Sequence, residues 1–519
     1  MQYHSTRGNS SGYSFESAVL QGLAPDGGLF VPETIPKIPS DWKEKWANHS
    51  FQDLAFEITR DYIGETDIPT VDLKDLITRS FSTFNTKDVT PLVKLDEKTD
   101  TWILELFHGP TFAFKDVALQ FLGNLFKYFL DKRNASRKEG EPKQTLAVLG
   151  ATSGDTGSAA IYGLRGKEGI SVFIMFPKGR VSPIQEAQMT TVPDENVHNI
   201  AIDGTFDDCQ AILKELFGRE DFHKANNLCA VNSINWARIM VQIIYYFHTY
   251  LTLVRNGNPN PNIVFSVPTG NFGDVLAGFY AREMGLPVTK LVVATNSNDI
   301  LDRFFCTGSY EKNKEEGVLA TTSPAMDILV SSNFERFIWY IARDHEVDTS
   351  LDIAEREKAA GKLVKQWMEE LKADGRFSIS EKGLKAAREV FSSGSCRDAT
   401  AVETIRKFYI PDAANKRESY LLDPHTAVGV YVSEAVRKEL ESDDSIQKPY
   451  TTVCLSTAHP AKFVETVDHA VKQITPSFNH KTILPAPLAE ALEKPRRCIS
   501  CENSADKVAK IVSDLSHKN

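Results

Sequence analysis

The sequence predicts an α/β protein with mainly parallel sheets covered by helices on both faces. Three observations carry that expectation. From residue 101 onward, short apolar runs alternate with helix-length amphipathic stretches. Runs such as TLAVLG (145–150) and IVFSV (263–267) are almost wholly apolar, as strands buried on both faces must be. Several of them end in glycine-rich turns that open directly into a helical pattern, the junction expected of a βα unit.

Taken in order, the first hundred residues mix helical and loop signals. Stretches 41–58 and 70–84 carry apolar residues at roughly helical spacing, broken by acidic and proline-bearing segments. WILELF (102–107) reads as a buried strand and 115–130 as the helix after it. Residues 145–150 predict a strand, 158–164 its helix, and 172–176, 199–202, 263–267 and 291–294 further strands. The stretch 335–420 turns charged and helical, with EREKAAGKLVKQWMEELK as its clearest amphipathic run, and predicts an insertion or cap. A strand returns at 452–456, and apolar spacing over 505–515 predicts a docked helix.

A chain of 519 residues exceeds the ~250–300 at which one core stops growing, so several domains are expected. The divisions read from the pattern are an N-terminal domain (1–100), a smaller α/β domain (101–240) and a larger one (241–334 with 421–480). A helical insertion (335–420) and a C-terminal helical tail (481–519) complete them. A net charge of −10 argues against a nucleic-acid-binding face. It does not deter a small anionic substrate, which responds to local donors. No apolar run approaches the ~20 residues of a membrane span. The start, MQYHSTRGNSSGYSF, has no basic segment followed by an apolar one, so a cytoplasmic protein is expected. Seven cysteines in so long a chain do not form a disulfide framework. Cys498 and Cys501 make one CxxC without the two further ligands of a zinc site, so no metal is expected.

Three loops carry chemistry. In HGPTFAFKDVALQ (108–120) a strand ends, a Gly-Pro turn follows, and Lys115 stands where the next helix begins. Flanking Phe112, Ala113 and Phe114 desolvate that amine, and the helix N-terminus disfavours its ammonium form. A neutral amine is what a Schiff-base lysine needs. In GATSGDTGSAA (150–160) small residues let backbone N–H groups converge on an anion, and Thr152, Ser153 and Thr156 add hydroxyl donors suited to a carboxylate. It is neither GxGxxG nor GxxxxGK[ST], so dinucleotide and nucleoside-triphosphate readings are unsupported. In VPTGNFGDVLAGF (267–279), Gly270, Asn271, Phe272 and Gly273 can form an N–H nest for a phosphate, with Asp274 near the helix start. A lysine, a carboxylate loop and a phosphate loop at strand-to-helix junctions match a cofactor with an aldehyde and a phosphate, acting on an amino acid: pyridoxal 5′-phosphate.

HGPTFAFKD, ATSGDTG, NSIN (232–235), VPTGNFGD, DPHTAV (423–428) and STAHPAKF (456–463) stand in the order found in threonine synthases, and YHSTRG and QGLAPDGGLFVPE near the start resemble the longer class of that family. The resemblance implies the tryptophan-synthase-β-like fold of type II pyridoxal-phosphate enzymes: two open, mainly parallel sheets with helices on both faces. It implies that Lys115 forms the Schiff base and serves as acid and base. It implies further that Gly270, Asn271, Phe272, Gly273 and Asp274 hold the cofactor phosphate and that Thr457 faces the pyridine nitrogen. Thr152, Ser153, Asp155 and Thr156 match the loop that receives the substrate carboxylate. The implied reaction converts O-phosphohomoserine and water to threonine and phosphate, by a monomer or homodimer without nucleic acid or membrane. The departing phosphate calls for a cationic pocket, for which Lys178, Arg180 and Arg238 are the candidates. His108, His425 and His459 lie inside these motifs and read as loop-packing residues. A lyase that takes the same substrate to 2-oxobutyrate would share the pattern, as would a non-catalytic cofactor-binding relative.

Overall fold

Apolar runs bounded by glycine turns leave no solvated face, so they assemble as interior strands. The computed structural model describes residues 1–8, 10–313 and 317–516. Two open sheets form its framework. The larger has six strands in the order Phe391–Ser395, Val288–Thr295, Ile263–Pro268, Thr451–Ser456, Thr101–Glu105 and Leu92–Asp96, parallel except for the last pair. The smaller has five parallel strands in the order Ile499–Glu502, Val197–Asp203, Ile170–Pro177, Leu146–Ala151 and Leu228–Ala230. Every residue of Ile263–Pro268, Thr451–Ser456 and Ile170–Pro177 is buried, as the continuous apolar runs require.

Long-range pairing corrects three of the expected divisions. The Thr101–Glu105 strand pairs with Thr451–Ser456, Ile103 opposite Cys454 and Glu105 opposite Ser456. Lys115 therefore springs from the larger sheet, not from the smaller domain. Residues 335–420 are mostly helical, yet Phe391–Ser395 within them forms the edge strand beside Val288–Thr295. The C-terminal tail likewise supplies Ile499–Glu502 to the edge of the smaller sheet before its Ala505–Ser516 helix. Edge strands are short and half polar, so their periodicity is too weak to read locally. The N-terminal helical stretch divides into Trp42–Lys45 and Phe51–Tyr62 because Ser50 and Asp53 form a capping box. YHSTRG ties this region to the rest: Thr6 Oγ1 donates to Glu335 Oε1 at 2.6 Å, and Arg7 bonds both oxygens of Glu335 at 3.0 and 2.9 Å.

The Lys115–Ala135 helix is buried on nearly every side and packs against Asp155–Leu164, whose sequence DTGSAAIYGL is dominated by small residues. Their axes approach closely because both contacts are glycines. A Cβ on Gly123 would stand 2.0 Å from the Gly163 carbonyl oxygen, and one on Gly163 would stand 2.4 Å from that of Leu119. Backbone cannot swing aside as a side chain can, so Gly123→Ala is expected to destabilise by about 3 kcal/mol. Gly218→Ala, where an added Cβ meets nothing within 4 Å, is expected to stay within about 0.5 kcal/mol of the parent. Denaturant melts of the two variants check this.

Candidate active site

The turn that presents Lys115 is built by its neighbours. Asp116 is fully buried and accepts the Thr111 amide at 2.8 Å and the Thr111 hydroxyl at 2.7 Å. Burial pushes the Asp116 carboxyl up to about 6 although these donors oppose the rise. Phe112 adopts a left-handed φ of 59°, a strained conformation for a bulky residue that the packed turn holds in place. The turn is zipped to the loop following Thr451–Ser456: the Phe114 amide donates to the Thr457 carbonyl at 2.8 Å, and the His459 amide to the Phe112 carbonyl at 3.1 Å. Lys115 and Thr457 are thus held side by side through backbone. Desolvation brings the Lys115 amine down to about 8; Asp155 opposes that fall, while Arg238 and Lys462 reinforce it.

At 150–160, the Thr152 hydroxyl accepts the amides of Gly154 and Gly157, both at 2.9 Å, and so braces the loop. Gly154 has φ 148°, and a Cβ there would meet the Gln185 amide group at 2.5 Å. Ser153 and Thr156 are half-buried, and among the described residues their hydroxyls are uncommitted. Asp155 points elsewhere: its Oδ1 lies 2.5 Å from Lys462 Nζ and 2.9 Å from Gln185 Nε2. Burial alone would raise this carboxyl, but the Lys462 and Lys115 charges hold it well below the usual carboxylate range. A carboxylate already occupied by a lysine is no donor to another carboxylate, which corrects the sequence assignment for Asp155.

The 267–274 loop ends the Ile263–Pro268 strand and opens the Gly273–Met284 helix, with Phe272 at φ 61°. Among the described residues the amides of Gly270, Asn271, Phe272 and Gly273 have no internal acceptor, leaving a cluster of N–H donors at a helix N-terminus. The loop is held from outside. Ser331 Oγ donates to the Gly270 carbonyl at 2.6 Å, and Asn333 donates to the Asn271 carbonyl through both its amide and its side chain at 3.1 Å. Asn333 is fixed in turn by Arg336, whose guanidinium is buried and also bonds the carbonyls of Phe30 and Ile234. Asp274 is buried against the hydroxyls of Tyr245 and Tyr246, and burial pushes its carboxyl up to about 7. A carboxyl raised so far carries less negative charge near neutral pH than an ordinary aspartate, which lessens its repulsion of a phosphate on the same loop.

The three cationic candidates separate clearly. Arg238 is buried, donates to the Val231 carbonyl at 2.8 Å and, among the described residues, has no partner for its Nε. Burial lowers it to about 10, which leaves it a cation at neutral pH. Lys178 and Arg180 are exposed, and Lys178 binds Ser500 at 2.9 Å and Asp203 at 3.4 Å. Arg238 is also among the charges that act most strongly on Lys115. The histidines pack loops. His108 bonds Glu105 at 2.7 Å, His425 bonds Asp423 at 2.9 Å, and His459 stands edge-on to Phe107 and Phe112 and is lowered to about 4 by burial.

Comparison with known proteins agrees with this geometry. Residues 2–81 match the family described as "Threonine synthase N terminus", 84–361 that described as "Pyridoxal-phosphate dependent enzyme", and 426–512 "Threonine synthase, C-terminal". A threonine synthase of Saccharomyces cerevisiae is 51% identical over 490 residues, covering 94% of this chain and 92% of that protein. The chain belongs to the threonine synthase family. A crystal structure of the yeast threonine synthase superposes with a TM-score of 0.91 at 48% identity, covering 100% of this chain and 99% of the other. A pyridoxal-phosphate-bound threonine synthase from Brucella melitensis gives 0.84 at 39%, with both chains fully covered.

Membership in the threonine synthase family makes this a pyridoxal-phosphate-dependent lyase with two parallel-sheet units. The residues present fit that cofactor. Free amides at a helix start suit its phosphate, and the desolvated Lys115 amine suits its aldehyde. Reading the sequence missed Lys462, Asp116 and Arg336. A lysine in a motif between Pro460 and Phe463, and an acid directly after Lys115, were the available signals. Arg336 lay within the stretch taken as a cap and gave none.

Proposed function

We propose that this chain converts O-phosphohomoserine and water to threonine and phosphate, with Lys115 as its acid and base. The observation that carries the reading is a desolvated lysine amine among buried cations, beside two loops that can receive anions. Pyridoxal phosphate, when bound, supplies the electron sink that makes the substrate's Cα and Cβ protons removable. Lys115 Nζ accepts the Cα proton, passes it on and only then accepts a Cβ proton. It returns one proton to Cγ once phosphate has left and, after the hydroxyl of water has added at Cβ, one to Cα, while the proton of that water leaves with the phosphate. The amides of 270–273 would hold the cofactor phosphate, with Asp274 supporting them from the first turn of the helix. Thr457, tied by backbone to Phe114, would offer its hydroxyl to the pyridine nitrogen of the bound cofactor, and a hydroxyl there would leave that nitrogen largely unprotonated. Ser153, Thr156 and the amides after Gly154 receive the substrate carboxylate, with Thr152 and Asp155 as braces. Arg238 receives the phosphate that departs. We take the enzyme to act in the cytoplasm on a small molecule, as a monomer or homodimer.

Incubating the purified holoenzyme with O-phosphohomoserine is expected to give threonine and phosphate in equal amounts. Threonine is identified by chromatography, and phosphate by colour assay. If 2-oxobutyrate is the main organic product instead, the chain is a phospho-lyase on the same fold.

A further inference from the structure

Lys462 is fully buried, a placement that lysine tolerates only with partners. It follows the Thr451–Ser456 strand of the larger sheet, in the short turn Pro460–Lys462. Its Nζ lies 2.5 Å from Asp155 Oδ1 and 2.9 Å from the Thr111 carbonyl. Asp155 opens the helix that follows the Leu146–Ala151 strand of the smaller sheet, while Thr111 belongs to the turn carrying Lys115. One ammonium therefore joins the strand ends of both sheets at the catalytic turn. The Pro183–Thr190 helix completes the clamp: Gln185 donates to Asp155 and Gln188 to the Thr111 carbonyl at 3.0 Å.

We propose that Lys462 is a positioning residue of this site: its ammonium binds Asp155 and the Thr111 carbonyl together, so that an anion acting on Lys115 is neutralised by a cation from the opposite sheet. This rests on Lys115 being the reacting amine. The groups involved are Lys115, Asp155, Asp116, Arg238, Lys462 and His459, and charges of both signs bear on Lys115: Asp155 and Asp116 against Arg238 and Lys462. Asp155 favours a protonated Lys115 and Lys462 disfavours it. Removing Lys462 leaves Asp155 uncompensated and strengthens the hold on the Lys115 proton. Removing Asp155 does the reverse. Packing alone has no reason to produce opposite signs.

The test is a pH titration of the absorbance of the cofactor joined to Lys115, in holoenzyme carrying Lys462→Met, Asp155→Asn or both. Lys462→Met is expected to raise the midpoint by about one pH unit or more, Asp155→Asn to lower it, and the double variant to lie between them. At neutral pH, kcat/KM is expected to fall roughly 100-fold in Lys462→Met, because the turn loses its anchor. The double variant is expected to recover part of that loss, since it buries no orphaned charge. Midpoints that move together, or that stay within about 0.2 units of the parent, overturn the proposal. Should Lys462→Met fail to fold, Asp155→Asn decides alone: an unchanged or raised midpoint overturns it. If Lys115→Ala keeps the lysine-linked absorbance, the failure lies with the assignment of Lys115 and not with Lys462.

Discussion

Lys115→Ala is expected to lower turnover by about 10,000-fold or more, and to abolish covalent attachment of the cofactor. The size follows from the roles that fall on one atom. In the proposed function Lys115 Nζ is both the attachment point and the amine that moves protons, because the other buried lysine of the site, Lys462, is committed to Asp155 and Thr111. Lys115→Arg is expected to fail equally. It keeps positive charge and reach, but a guanidinium holds its proton far above neutral pH and forms no Schiff base. The environment is arranged against a permanent charge, since burial is what brings the amine down to about 8. Single-turnover kinetics with O-phosphohomoserine, together with the mass of borohydride-treated protein, check both variants. Turnover within tenfold of the parent in either one would remove Lys115 from the centre of the chemistry.

Arg238→Met is expected to raise KM for O-phosphohomoserine roughly 100-fold, a loss of about 2–3 kcal/mol, while leaving the unliganded fold as stable as the parent or more so. The opposite signs come from one fact. Arg238 is a buried guanidinium with a carbonyl partner and, among the described residues, no carboxylate and no partner for its Nε. Without an anion the charge is a burden on folding, as its lowered pKa records. With an anion it makes charge-assisted bonds in a desolvated setting, where they are strongest. Methionine fills a similar volume without that burden. Inhibition constants for inorganic phosphate and thermal melts in phosphate-free buffer read the two effects separately. Weaker phosphate binding combined with a marked loss of stability would indicate that Arg238 is a structural residue.

Much of the site is legible in the sequence because it is local. HGPTFAFKD places a lysine directly after a turn and at a helix start, and the Lys115–Ala135 helix begins there. VPTGNFGD encodes a strand, a nest and a helix within a few residues, and Ile263–Pro268 and Gly273–Met284 have those roles. Arg238 and Lys178 illustrate the limit. Both are cations beside motif residues, yet one lies inside the protein and the other on its surface, facing Asp203. The apolar run around Arg238 and the Pro-Gly turn around Lys178 separate inside from outside, but neither segment contains the groups that each cation meets.

The α/β class, the three strand-to-helix junctions and a lysine at the start of one of those helices are written in short segments of the chain, since short-range periodicity and turn composition act within single elements. Only the tertiary structure decided which sheet carries Lys115, that Asp155 is a partner of Lys462, and which arginine is left wanting an anion. Those outcomes depend on contacts between residues hundreds of positions apart, as with Glu105 opposite Ser456 and Asp155 against Lys462. Burial and charge neutralisation are properties of the assembled neighbourhood, and no local segment of the chain contains them.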